Sequence, residues 1–349
     1  MLYAMSFKRV QNPPNPWHSA YVEWIDAPPP PADLEIFEET AKTIVSENDS
    51  PDLGFRFSVN PYRGCFHACA YCYARPTHQY WDFGAGTDFD RKIIVKINAP
   101  EKLRETFMKK SWRGDRIVFS GNTDCYQPLE ASYQLTRGCL EVCREFHNPV
   151  ALITKSALVR RDAELIGAIA RTAQAYAHIS IPFADAAMAR KIEPNAPSPA
   201  ARFSAMRALA DAGVPVGVAL APVIPGLNDS QIAEILERAK ESGAAFAFRV
   251  MLRLPAEVKD VFLERLKVEY PDRYNKVVHA VQEMRGGKLY DSRFGARGRG
   301  SGERWEAIEW LFDLTCKRLG LNVRDEMKHP EPPPTFTRPV QKDGQMELF

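Results

Sequence analysis

Three cysteines, Cys65, Cys69 and Cys72, fall within one eight-residue window. A spacing of x3 then x2 suits thiolates that share one inorganic centre. A cubane [4Fe–4S] cluster usually takes four thiolates. Three, with no fourth at a suitable spacing, leave one iron open, and an open iron can chelate a small molecule through its amine and carboxylate and pass it an electron. The competing reading is a zinc knuckle with His67 or His78 as fourth ligand. A ferredoxin-type carrier would need the missing cysteine. Cys125, Cys139, Cys143 and Cys316 bring the total to seven. An odd number in a long chain does not fit a secreted disulfide framework and does fit a reducing compartment.

The elements that must position this loop follow a regular pattern. A strand-like run at 55–59 leads into the cysteines, and further β-rich runs lie at 116–120, 149–154, 177–182, 214–221 and 244–250. Helix-like segments at 130–146, 158–173, 200–212 and 229–242 separate them. Strands and helices alternating in this way mean parallel βα units in an open sheet or a barrel. Ligands of such folds sit at the C-terminal strand ends. After position 250 only helices are expected. Tyr274, Val277, Val278, Val281 and Met284 make one apolar stripe, and Trp305, Ile308, Phe312, Cys316 and Leu319 another. Prolines at 13, 14, 16 and 28–31 predict a poorly structured lead-in over 1–50. Pro332-Pro333-Pro334 opens a flexible tail over 326–349.

Cys65-x3-Cys69-x-Tyr71-Cys72, with an aromatic directly before the last cysteine, resembles the signature of radical S-adenosylmethionine (SAM) enzymes. The resemblance extends over roughly 55–254, within a barrel domain expected at 51–254. It implies an α/β fold, a partial (βα)6 radical SAM barrel, with residues 255–325 as a helical C-terminal extension. It implies a [4Fe–4S] cluster on Cys65, Cys69 and Cys72, SAM chelated at the open iron, and reductive cleavage that starts radical chemistry. The electron would come from reduced flavodoxin or ferredoxin.

The strand ends extend the resemblance. Gly121, Asn122, Thr123 and Asp124 occupy the place of the superfamily's amino-group-binding motif, where a glycine permits close approach and the others offer acceptors. Lys155 is placed to meet the SAM carboxylate and Ser180 the ribose. Glu193 and Arg202 match a pattern whose charges contact SAM, and Tyr71 joins this set. The segment 222–229 closes the next strand, where relatives flank the adenine. Within the superfamily, Tyr71-Cys72-Tyr73, Asn122-Thr123-Asp124, Thr154-Lys155 and Ser180-Ile181 are most similar to the spore-photoproduct-lyase-like group, often labelled DNA-repair photolyases. The lyase proper has a hydrogen-donating cysteine where this chain has Gly121. Cys125 is the substitute candidate, with Tyr73 as relay; the alternative for Cys125 is an ordinary buried thiol. Cys139 and Cys143 share an apolar helix face with Leu135, Val142 and Phe146 and read as core.

Forty-six Lys and Arg against 44 Asp and Glu give a net charge of +2, so any nucleic-acid surface is a local patch. One exists: Arg285, Lys288, Arg293, Arg297 and Arg299 stand among glycines and aromatics, a mixture that suits phosphates and bases. A solvated loop between helices is the plainer alternative. At the end, Gln345, Leu348 and Phe349 resemble the peptide by which bacterial repair and replication proteins dock on the sliding clamp. No secretory signal is apparent. The most apolar stretch, 214–227, is proline-broken and too short for a membrane span, so a cytoplasmic protein is expected. The combined expectation is radical SAM chemistry on nucleic acid, DNA repair or modification first. Its rivals are a protein, tRNA or small-molecule substrate, and a non-catalytic zinc-organised module.

Overall fold

Six of the strands form one parallel array. The computed structural model describes residues 7–10, 34–322 and 334–339. In chain order the strands are β1 (Phe7–Val10), β2 (Glu35–Glu39), β3 (Val45–Glu47), β4 (Phe57–Val59), β5 (Tyr62–Arg63), β6 (Lys92–Lys96), β7 (Ile117–Phe119), β8 (Val150–Thr154), β9 (Ala175–Ser180), β10 (Val216–Val223) and β11 (Phe246–Met251). The large sheet runs β11-β10-β9-β8-β7-β4-β3. Its neighbours from β4 to β11 are all parallel, and β3 adds antiparallel to β4 at one edge. This is the expected (βα)6 arrangement, left open between β3 and β11.

Alternation along the strands sorts the two faces. Ala175, Ala177 and Ile179 are buried, and Ile166, Ile169, Met206 and Leu209 from the covering helices are buried in the same apolar cluster. Tyr176 and His178 turn the other way and stay half-buried. The register lines up Ile153, His178, Gly217 and Phe246 across four strands. Gly217 has to be a glycine: a Cβ there would lie 2.1 Å from the Phe246 ring. The bare backbone of β10 lets that aromatic side chain lie across it.

Two regions carry more order than their prolines suggest. β1, β2, β6 and β5 form a second sheet, with β2 and β6 parallel and the outer pairs antiparallel. The expected structureless lead-in is therefore corrected at 7–10 and 34–50; the proline runs lie outside the described residues. The physical reason is distance along the chain, since β2 is completed by β6, whose residues pair with it from almost sixty positions on (Glu35 with Lys92). The tail is likewise held at 334–339. Phe336 packs against Phe107 and Phe146 with centroids 5.8 and 6.1 Å away. Arg338 donates to the carbonyls of Phe107, Lys109 and Trp112. The expected helices appear at Leu135–Glu145, Ala163–Thr172, Pro199–Asp211 and Ile232–Glu241, and among the described residues the elements after β11 are helices.

Candidate active site

The cysteine loop leaves β4 and is held by buried polar side chains. Arg75, 1% exposed, donates to the Cys69 carbonyl from Nε and Nη2 at 3.1 and 3.0 Å, and to the carbonyls of Ala85 and Gly86. Asp90 balances its charge at 2.8 Å. Gln127, fully buried, accepts from the Phe66 amide at 3.2 Å and donates to the Gly64 carbonyl at 3.3 Å. Thr123 Oγ1 donates to the same carbonyl at 2.6 Å. Sequence reasoning did not single out Arg75, Asp90 or Gln127; a buried Arg and a buried Gln become visible only once the loop has folded around them.

The thiols of Cys65, Cys69 and Cys72 lie close enough that Cys69 and Cys72 push up the Cys65 pKa and Cys72 pushes up that of Cys69. Burial is the larger cause for all three, followed by Asp124 for Cys65 and Glu193 for Cys69. Burial disfavours the thiolate at all three positions, although Cys72 is only half-buried, and a bound metal offsets that cost, so the donor set fits an iron–sulfur cluster. The zinc alternative fits less well. His67 Nδ1 faces Asp124 Oδ2 at 3.4 Å, and His78 is packed against Phe83 and Phe89.

The strand ends supply a second, charged layer beside the loop. Glu193, 1% exposed, receives Arg202 Nη2 at 2.5 Å and the Tyr71 hydroxyl. Burial pushes its carboxyl up, but Arg202 and then Lys155 outweigh this and hold it below its ordinary value. Lys155 Nζ donates to Ser180 Oγ at 2.9 Å and lies 3.9 Å from Glu193. Arg202 also donates to the Ser180 carbonyl at 3.1 Å. Tyr71, Lys155, Ser180, Glu193 and Arg202, drawn from five places in the sequence, thus form one network.

Asp124 is more occupied than a free acceptor would be. It receives Thr154 Oγ1 at 2.6 Å, the Lys155 amide at 2.8 Å and the Tyr126 amide at 2.9 Å. Burial opposes its ionisation, but His67 and these hydrogen bonds bring its pKa down to about 2. It ties the ends of β7 and β8 together beside the cysteines. Asn122 is fixed through its amide, which donates to Asn60 Oδ1 at 3.1 Å. Gly121 has φ +137°, a region that favours glycine, and a Cβ there would meet nothing within 4 Å. The loop after β10 is shaped by Asn228, which donates to the Pro182 and Pro222 carbonyls and accepts from the Ile224 amide.

Other expected residues are placed differently. Cys125 has no exposed surface, and burial, then Asp124, pushes its thiol pKa up; the structure makes it a core thiol rather than a hydrogen donor. Tyr73 is 47% exposed beneath the Arg253 guanidinium, 5.1 Å away. Arg285 is 7% exposed and donates to the carbonyls of Leu252, Ala296 and Arg297. It anchors the basic loop, which corrects its assignment as a nucleic-acid contact. Arg293 pairs with Asp291 at 2.7 Å and Arg297 with Asp52. Lys288 and Arg299 are exposed. Gln345, Leu348 and Phe349 lie outside the described residues.

An open parallel half-barrel with a three-thiol loop at its strand C-termini defines a class of cluster-bearing enzymes. Residues 59–239 match the model of the Radical SAM superfamily, and the chain belongs to that superfamily. Its cofactors are the superfamily's, a [4Fe–4S] cluster and SAM. The relatives it is similar to include an uncharacterized protein of Mycobacterium tuberculosis, 36% identical over 64% of this chain and 68% of the relative. Another is an uncharacterized protein of Methanocaldococcus jannaschii, 28% identical over 69% of this chain and 86% of the relative. Among solved structures it is similar to spore photoproduct lyase complexed with dinucleoside spore photoproduct. There the TM-score is 0.59 at 16% identity, covering 82% of this chain and 80% of the lyase. A lyase variant with bound AdoMet and dinucleoside spore photoproduct gives a TM-score of 0.56 at 16% identity, over 78% and 77%. No helix among the described residues is long and apolar enough to cross a membrane.

Proposed function

We propose that this enzyme starts radical chemistry on nucleic acid, in DNA repair or modification. The observation that carries the reading is the placement of the charged network beside the thiol loop, with open space at Gly121 on the same strand ends. The spore photoproduct lyase whose fold it shares binds a dinucleoside lesion, which supports a nucleotide as the substrate. When bound, the cluster and SAM supply reductive cleavage and hydrogen-atom abstraction.

The chain's own residues supply position and charge. Cys65, Cys69 and Cys72 hold the cluster, and Arg75, Gln127 and Thr123 fix the loop that presents them. Lys155 keeps a positive charge at the strand ends for the SAM carboxylate. Glu193 and Arg202 hold Tyr71 and Ser180 in place around it. Gly121 leaves room where the lyase proper has a thiol. With Cys125 in the core, half-exposed Tyr73 is the remaining hydrogen relay at this site. Reduced flavodoxin or ferredoxin is the electron donor in this reading, and the tail Gln345, Leu348 and Phe349 binds a sliding clamp in a cytoplasmic setting.

The test is anaerobic. The reconstituted enzyme is reduced with SAM in the presence of oligonucleotides carrying pyrimidine lesions, and 5′-deoxyadenosine is quantified. Release stimulated by one lesion class supports the reading. Release stimulated only by a peptide, tRNA or small molecule would replace it.

A further inference from the structure

The open side of the half-barrel is bridged by an ion pair that no feature of the cofactor site requires. β3 and β11 are the two free edges of the large sheet. The glycine-rich loop is mounted on the β11 edge. The Met251 amide donates to the Gly298 carbonyl at 3.0 Å, and Arg285 donates to the Leu252 and Arg297 carbonyls at 2.9 and 3.1 Å. Asp52 comes from the other edge, on the turn joining β3 to β4. Its Oδ1 accepts from the Gly295 amide at 2.7 Å, and its Oδ2 pairs with Arg297 Nε. Ser50 Oγ accepts from Arg297 Nη2. Arg297 is stacked over Phe294, 4.9 Å from the ring centroid, and Phe294 is 62% exposed.

A backbone N–H at a positive-φ glycine, a guanidinium and a flanking stacking ring are donors that suit a phosphate. Here they surround a carboxylate of the same chain. The position is next to the chemistry: Arg253 acts electrostatically on Asp52, and its guanidinium covers Tyr73, the residue after Cys72. We propose that Gly295 and Arg297 form a phosphate seat at the mouth of the barrel, filled in the free enzyme by Asp52, which a phosphodiester of the substrate displaces. The nucleic-acid source of that phosphate rests on the function proposed above; the seat itself does not.

If so, Asp52 is a competitor in cis. Asp52→Asn removes its charge and keeps its shape. A short oligonucleotide should then bind the reconstituted full-length enzyme several-fold more tightly at low salt. Arg297→Gln should weaken binding, and Asp52→Asn should have no further effect in that background. Tryptic cleavage within 293–299 gives a second readout. In Asp52→Asn the loop should be cut faster than in the parent, and millimolar inorganic phosphate or pyrophosphate should restore protection. Protection by inorganic phosphate with no oligonucleotide binding would support the seat while removing the nucleic-acid reading. Weaker oligonucleotide binding in Asp52→Asn, or a loop that neither phosphate nor oligonucleotide protects, would mean that the pair is a structural clasp and overturn the proposal.

Discussion

Replacing Arg202 by Leu tests the charged network most sharply. Glu193 and Arg202 pair at 2.5 Å with side chains 0% and 1% exposed. Without the guanidinium, the buried carboxylate keeps only the Tyr71 hydroxyl and Lys155 at 3.9 Å. Breaking a buried pair by removing one partner costs about 3–5 kcal/mol. Because Lys155 remains, the lower end, ~3 kcal/mol, is expected at pH 7. The pH dependence fixes the cause. In the parent, Glu193 is held below its ordinary value of 4.5, burial being outweighed by Arg202 and Lys155. A depressed carboxyl contributes stability that is present above the unfolded pKa and lost as pH falls through the folded pKa. In Arg202→Leu burial is largely unopposed, the folded pKa rises, and the variant suffers most when the carboxyl must stay ionised. The gap between parent and variant should therefore be widest at pH 7 and shrink toward pH 4. Urea unfolding midpoints of matched preparations across that range measure it. Adding Glu193→Gln to the variant should recover part of the loss at pH 7. A gap that stays constant with pH, or a double variant no better than the single, would refute the reasoning.

Other substitutions probe separate parts of the account. Gln127→Leu removes the hydrogen bonds to Phe66, Gly64 and Thr123. It should cost about 1–3 kcal/mol and speed loss of cluster iron to a chelator; unchanged iron loss would show that Gln127 does not hold the loop. Gly217→Ala should destabilise by about 1–3 kcal/mol through overpacking against Phe246. Combination with Phe246→Ala should relieve part of that strain in thermal melts. Phe336→Ala should release residues 334–339, cost roughly 2 kcal/mol from the ring's partial burial, and speed hydrogen exchange of the Thr337 amide, which donates to the Phe146 carbonyl at 2.9 Å. Exchange as slow as the parent's would contradict that anchoring.

Legibility from sequence followed the range of the interactions. The runs at 149–154 and 214–221 became Val150–Thr154 and Val216–Val223 because short apolar β-rich segments pack between helices wherever they pair. The cysteine spacing and the strand-end polar residues were readable because they are local motifs. Helix breaks were not: the segment 130–146 divides at Gln134, φ 52°, where the chain turns before resuming helix. The second sheet was hidden because Glu35–Glu39 reads as a charged stretch, and only its pairing with Lys92–Lys96 makes it a strand. Charge counting also misled at Arg285, whose guanidinium turns inward to backbone carbonyls, and at Arg297, whose partner Asp52 is far away in sequence.

The central claim is that Cys65, Cys69 and Cys72 alone carry the cluster that cleaves SAM. Anaerobic reconstitution followed by iron and sulfide analysis and a 5′-deoxyadenosine assay under strong reductant tests it directly. The expected result is about four irons and four sulfides per chain, with cleavage of SAM in the parent and neither cluster nor cleavage after Cys69→Ala. A colourless parent holding one zinc, or a Cys69→Ala variant that still cleaves SAM, would contradict it.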